Sequence, residues 1–148
     1  MITVIAGDLL ADTAQALVNP VNTVGIIGKG LALQFRRTYP EAYQSYRQAC
    51  DRGEIQPGIL HIAPIANGRI IVHFPTKRHW RDVSRLADIE VGLSALALLI
   101  KERQIATIAI PALGAGLGGL RWPEVEALIY LYLEPLKDLD VRLYPPRA

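Results

Sequence analysis

The chain has 148 residues, a formal net charge of +2, 51% hydrophobic residues and 20% charged residues. That composition specifies one folded globular domain over residues 1–148 and excludes a disordered or fibrous chain. A single cysteine, Cys50, excludes a disulfide framework and a Cys-based zinc site, and the small net charge is no argument by itself for nucleic acid.

In chain order, Ile2 to Ala6 is apolar and rich in β-branched residues, closed by Gly7-Asp8, and reads as a buried strand. Its start lacks the basic-then-apolar pattern of a secretory signal, and Leu93 to Ile100 is too short to span a bilayer, so a cytoplasmic location is expected. Ala16 to Val21 is a second strand, leading into Val18 to Phe35 (VNPVNTVGIIGKGLALQF), where Asn19, Asn22, Gly25, Gly28, Lys29 and Gly30 cluster. Lys29 to Arg37 has helical spacing that Pro40 ends, and Glu41 to Cys50 is a second helix with Tyr43 and Tyr46 on one side. Ile59 to Ile65 and Arg69 to Phe74 flank Ala66-Asn67-Gly68, a hairpin signal. Ser84 is placed to cap a helix running to about Arg103. Ile105 to Ile110 is apolar throughout, as a central strand should be. Gly114, Gly116, Gly118 and Gly119 follow, then a helix opened by Trp122-Pro123 and a last strand at Val141 to Tyr144. Strands and helices in alternation predict an α/β sandwich with a mixed sheet.

Each glycine cluster sits between a strand and a helix. Glycine lets backbone amides approach a ligand and a helix N-terminus favours an anion, but the same pattern also makes a tight turn without a ligand. Gly114, Gly116 and Gly119 fit G-x-G-x-x-G, yet no acid ends the following strand and fewer than about thirty residues remain, so the dinucleotide fingerprint fails. Gly28-Lys29-Gly30 lacks the Ser or Thr of a phosphate-binding P-loop. Both loops can still hold phosphate or ribose at one crevice beyond the strand ends.

Phe74 to Arg85 (FPTKRHWRDVSR) crowds Lys77, Arg78, His79, Arg81 and Arg85 at another strand end. Most such runs are solvated surface, but Pro75 and Trp80 point to an ordered loop. Neighbouring cations push a lysine toward its neutral, nucleophilic form, and a basic cluster suits a polyanion such as DNA.

Together Gly7-Asp8, VNPVNTVGIIGKGLALQF, FPTKRHWR and PALGAGLGGL resemble the macrodomains, over essentially the whole chain. The second and third segments are similar to the branch of DarG-type DNA ADP-ribosyl glycohydrolases, the antitoxins of DarT toxins. The resemblance implies a three-layer α/β/α fold with a central mixed sheet, ADP-ribose as ligand, and neither cofactor nor metal. It implies that Asp8 and the backbone of Leu9 bind adenine. Leu113, Gly114, Ala115, Gly116, Leu117, Gly118 and Gly119 would cradle the diphosphate. Gly25, Ile26, Gly28, Lys29 and Gly30 would wrap the distal ribose, with Thr76 nearby and Asn22 orienting the sugar. Lys77 would act at the anomeric carbon joined to thymine, and Arg78, His79, Trp80 and Arg81 would bind DNA. The implied reaction removes ADP-ribose from thymidine in single-stranded DNA, with a DarT-like toxin as partner and no membrane. Alternatives are a reader that binds ADP-ribose without cleavage and a hydrolase of protein-linked ADP-ribose. A related branch uses the lysine as nucleophile with an aspartate in the last glycine loop. Gly118 stands at that place here, leaving Lys77 either as nucleophile or as an acid that stabilises the leaving base.

Plainer roles stand beside these. Asp8 can cap the turn after it, Asn19 and Asn22 can satisfy turn amides, and His61 and His73, on apolar strands, suit hydrogen-bonded core positions. The histidines show no metal spacing. Glu124 and Glu126 suit a helix first turn, and Trp80 is the better tryptophan for stacking on a base.

Overall fold

The computed structural model describes residues 1–146. Six strands, β1 (Ile2–Val4), β2 (Ala16–Asn22), β3 (His61–Pro64), β4 (Ile70–Lys77), β5 (Thr107–Ile110) and β6 (Asp140–Leu143), form one sheet in the order β1-β6-β5-β2-β4-β3. All neighbours pair in parallel except β3, which runs antiparallel to β4, so the sheet is mixed as expected. Four helices accompany it: α1 (Gly30–Thr38), α2 (Pro40–Asp51), α3 (Leu86–Arg103) and α4 (Trp122–Leu133).

Alternation along the central strands sorts the layers. Ala16, Val18, Val72, Phe74, Ile108 and Ile110 face α3 and α4, packing with Leu93, Leu96, Val125 and Ile129. Leu17, Ile71 and Ala109 face the opposite side, against Phe35 of α1 and Ala42 of α2. Successive strand side chains point to opposite faces, so runs that are apolar throughout must be covered on both. Gly92 brings α3 onto β4: a Cβ there would lie 2.2 Å from the Phe74 ring. This contact anchors β4 just before Thr76 and Lys77.

Several local expectations need correction. β1 is a three-residue edge strand with Val4 exposed, because it pairs only with β6; a buried Ile2 to Ala6 strand does not form. Pro40 does not merely stop α1; it occupies the first turn of α2, where its missing N–H costs nothing. Ser84 does not cap α3: Arg85 holds that place without a side-chain bond, and the buried Ser84 hydroxyl has no partner among the described residues. Asn19 is no turn residue. It lies inside β2, buried, with its Nδ2 3.1 Å from His73 Nδ1. The hairpin signal holds, since Asn67 and Gly68 take left-handed φ values of 64° and 73° between β3 and β4.

Candidate functional site

The strand order sets β5, β2 and β4 side by side at the sheet's centre, so their C-terminal loops meet at one edge. Between these loops and the segment after β1 lies a cleft of about 1090 Å³. A bulge shifts the β2–β4 register so that Asn22 pairs directly with Lys77, and Thr76 Oγ1 donates to the Val21 carbonyl 3.3 Å away. Two residues far apart in sequence become cross-strand neighbours, and both line the cleft.

Asn22 builds the first glycine loop. Its Oδ1 accepts from the amides of Val24 (3.0 Å) and Gly25 (2.9 Å), and its Nδ2 donates to the Ile26 carbonyl at 2.8 Å. One Nδ2 proton is left for a ligand. The plainer turn role therefore holds for Asn22 without exhausting it. Beyond the loop, Gly30, Leu31 and Ala32 of α1 line the cleft. Neither a side-chain cap nor an acid occupies this helix start, so its first amides and positive dipole end are open to an anion.

The second glycine loop supplies another set of donors. Among the described residues, the amides of Gly116, Leu117 and Gly118 donate to no protein acceptor. Gly114 and Gly119 hold φ values of 72° and 82°, and Gly30 approaches Leu117 so closely that a Cβ there would sit 3.0 Å from Leu117 Cδ1. The two loops thus face each other across the cleft, each presenting its own set of backbone amides. At Gly118 a Cβ would fall 2.3 Å from Ser84 Oγ and 2.5 Å from the Gly114 carbonyl oxygen, so no side chain fits.

Asp8 sits at the far end. Its Oδ1 caps the short 3-10 turn Leu9–Ala11 by accepting from the Leu10 amide at 3.0 Å, and among the described residues nothing bonds its second oxygen. Tyr144, Pro145 and Pro146 wall the same end. Tyr144 donates to Asp12 Oδ2 at 2.6 Å, while Arg142 and the Ala14 amide bond Asp12 Oδ1 at 2.7 and 2.8 Å. Burial raises the Asp12 pKa, but these hydrogen bonds outweigh it and hold the carboxyl below its ordinary value. Burial and then Asp12 push the Tyr144 phenol up to about 12. Sequence reasoning missed Tyr144; its only signal was its place before Pro145-Pro146.

At the opposite end Lys77 Nζ donates to the Trp80 carbonyl at 3.3 Å. Trp80 is 41% exposed, with the Arg81 guanidinium 4.4 Å from its ring centroid and the His79 ring at 5.1 Å. Of the four residues expected at DNA, Trp80 lines the cleft; Arg78, His79 and Arg81 lie outside it. Arg78 is also paired with Asp88 at 3.3 Å, and its carbonyl accepts from Thr23 Oγ1 at 2.6 Å, tying the basic loop to the first glycine loop.

Of the residues expected at the ligand, Asp8, Leu9, Asn22, Ile26, Gly28, Lys29, Gly30, Thr76, Lys77, Gly114, Gly116, Leu117 and Gly118 line the cleft. Gly25, Leu113, Ala115 and Gly119 do not. Leu113 is fully buried and Ala115 packs against the same core, while Gly25 backs onto Arg47 and Cys50. Asp8 is the one carboxylate among the described lining residues, and no group of three or more His, Cys, Asp or Glu among the described residues could hold a metal. β1 and β4 are four strand steps apart, about 19 Å between axes at 4.8 Å each, so the acid and the lysine sit at opposite ends of an elongated site. An acceptor, two amide nests and a lysine in line suit a nucleoside diphosphate carrying a further sugar.

Residues 18–129 match the Macro domain family. The curated DNA ADP-ribosyl glycohydrolase of Thermus aquaticus is 48% identical over 99% of this chain. The chain spans about two-fifths of the length of the curated relatives it matches. Among solved structures, the macrodomain of Mycobacterium tuberculosis DarG is 46% identical with a TM-score of 0.97, covering 99% of both chains. Thermosipho africanus DarTG in complex with ADP-ribose is 35% identical with a TM-score of 0.90, over 98% of this chain and 41% of that one.

Proposed function

We propose that this chain, which belongs to the macrodomain family, removes ADP-ribose from thymidine in single-stranded DNA and so reverses a toxin's modification. The observation that carries the proposal is the cross-strand pairing of Asn22 with Lys77 at the cleft end that also presents Trp80. Identity to DNA ADP-ribosyl glycohydrolases over the whole chain supports the substrate class. A curated relative from Thermosipho africanus that fuses a DNA ADP-ribosyl transferase to a DNA ADP-ribosyl glycohydrolase supports a DarT-like transferase as partner, and a cytoplasmic location belongs to the same proposal.

In this account the second oxygen of Asp8 accepts from the adenine amino group. The amides of 116–118 and the α1 N-terminus hold the diphosphate, and the remaining Nδ2 proton of Asn22 holds the distal ribose. As the bond between the anomeric carbon and the thymine nitrogen breaks, the Lys77 ammonium gives the leaving base its proton. Water then attacks the anomeric carbon and returns a proton to the Lys77 amine, so one water is consumed and ADP-ribose and thymidine leave. Closure of the Gly118 position to any side chain, with Asp8 at the far end, favours this acid role over a covalent route resolved by a loop carboxylate.

The test offers an oligonucleotide bearing ADP-ribosylated thymidine and, separately, a protein bearing ADP-ribosyl glutamate. Release from the oligonucleotide at a far higher kcat/KM is expected. ADP-ribose binding without release from either would make the chain a reader, and preference for the protein would move its substrate class.

A further inference from the structure

We infer that Tyr46 is a positioning residue of this site, acting through Asn22. The kinetic part of the inference rests on the proposed hydrolysis; the geometric part does not. Tyr46 lies on α2 and is wholly buried, its ring stacked on His73 at 5.1 Å and 27°. A buried phenol needs a partner for its O–H. Here the hydroxyl lies 2.7 Å from the Asn22 carbonyl oxygen and 3.2 Å from Asn22 Oδ1, with the Cys50 thiol beside it. Burial raises the phenol's pKa, so it stays a donor throughout the working range.

Two amides, those of Val24 and Gly25, donate to Asn22 Oδ1, while the single Tyr46 O–H proton goes to the Asn22 carbonyl oxygen at 2.7 Å with Oδ1 as its longer second acceptor at 3.2 Å. Turning the Asn22 amide over would face its NH₂ with the Val24 and Gly25 amides, which cannot accept, so the oxygen is held inward and the nitrogen outward. One Nδ2 proton then meets the Ile26 carbonyl, and the other is bonded to no described residue, on a side chain that lines the cleft. Val24 and Gly25 belong to the loop and move with it. Tyr46 is the donor supplied by a packed helix, and through the Asn22 carbonyl it fixes the backbone that carries the amide relative to α2. The same face of α2 reinforces it at i−3 and i+1: the Tyr43 hydroxyl and Arg47 both donate to the Gly25 carbonyl, at 3.1 and 3.2 Å. Behind the Tyr46 ring, His73 is itself held between Asn19 Nδ2 and the Ala42 carbonyl.

Tyr46→Phe keeps the ring and its stack and removes only the hydroxyl. Single-turnover release from the thymidine-linked oligonucleotide should slow about 10-fold, while the Kd for ADP-ribose stays within about 2-fold, since misplacing a sugar costs rate more than affinity. Tyr46→Phe with Asn22→Ala should be no slower than Asn22→Ala alone, within about 2-fold. Tyr43→Phe, whose acceptor keeps its bond from Arg47, should change release less than 2-fold. Additive losses in the double variant, or an equal loss in Tyr43→Phe, would overturn the inference. If the wild type releases nothing, the proposed hydrolysis fails instead, and the geometry is read from the Asn22 side-chain NH₂ protons by NMR. They should exchange at least about 10-fold faster in Tyr46→Phe; unchanged exchange would overturn the positioning role.

Discussion

Gly118→Ala tests the diphosphate nest through a single methyl group. The added Cβ would lie 2.3 Å from Ser84 Oγ and 2.5 Å from the Gly114 carbonyl oxygen, where real Cβ contacts do not come under 3.0 Å. The serine hydroxyl, which has no partner among the described residues, can rotate away. The Gly114 carbonyl is fixed by the Leu120 amide at 2.9 Å, so the loop itself must shift by at least about 0.5 Å, the shortfall from contact. That shift turns the amides of Gly116, Leu117 and Gly118 off the phosphates. A hydrogen bond to a charged group contributes about 1.5–3 kcal/mol, so losing one of the three costs about that much. At 1.4 kcal/mol per decade, the Kd for ADP-ribose measured by titration calorimetry should rise about 10- to 100-fold. Ser84→Gly should not rescue it, because the backbone carbonyl still blocks the space. A folded Gly118→Ala protein binding within about 3-fold of wild type would refute the assignment of this loop to the diphosphate.

Two further outcomes follow from groups around the site. Burial first, and then the neighbouring His61, depress His73 to about 3, so the fold keeps it neutral while an unfolded chain takes up a proton below pH 6.5. The stability it contributes is therefore whole above 6.5 and is lost as the pH falls from there toward 3; denaturant unfolding should show about 2 kcal/mol less stability at pH 5 than at pH 7. A difference under about 0.5 kcal/mol would show that His73 is not buried as described. For DNA, Arg81→Gln should weaken single-strand binding and reduce the slope of log K against log salt by about 0.7, the loss of one phosphate contact. Arg78→Gln should change that slope by less than half as much, because Asp88 already offsets its charge; equal effects would contradict the pairing.

What could be read from the sequence was what local chemistry alone decides. The apolar run ending at Ile110 had to be a covered strand, Asn67-Gly68 had to turn, and the two glycine clusters had to bring backbone close to something. The segments that resembled a family also located Asp8, Asn22 and Lys77, which the fold does bring to one cleft. Hidden were the facts that depend on register and on which face a residue takes. Asn19 looks like a loop asparagine, yet the period-two alternation of β2 turns it inward against His73. Leu113 belongs to a glycine-loop motif, yet its side chain points down into the core while its neighbours line the cleft. Ser84 has the right residue type and spacing for a cap, but the chain enters α3 one residue later and leaves its hydroxyl under the Gly118 loop. Tyr46 showed only as part of an amphipathic stripe; its bond to Asn22 depends on how α2 crosses the sheet, which no local pattern encodes.

The central claim is that binding and chemistry divide between the amide nests and the lysine. Lys77→Ala separates them. ADP-ribose titration and single-turnover release from an oligonucleotide carrying ADP-ribosylated thymidine should be measured on the same preparation. The Kd should stay within about 3-fold of wild type, because Asp8 and both loops are intact, and release should slow by about 10²–10⁴-fold, the range for losing a positioned proton donor. Release at the wild-type rate would contradict it and would remove Lys77 from the reaction.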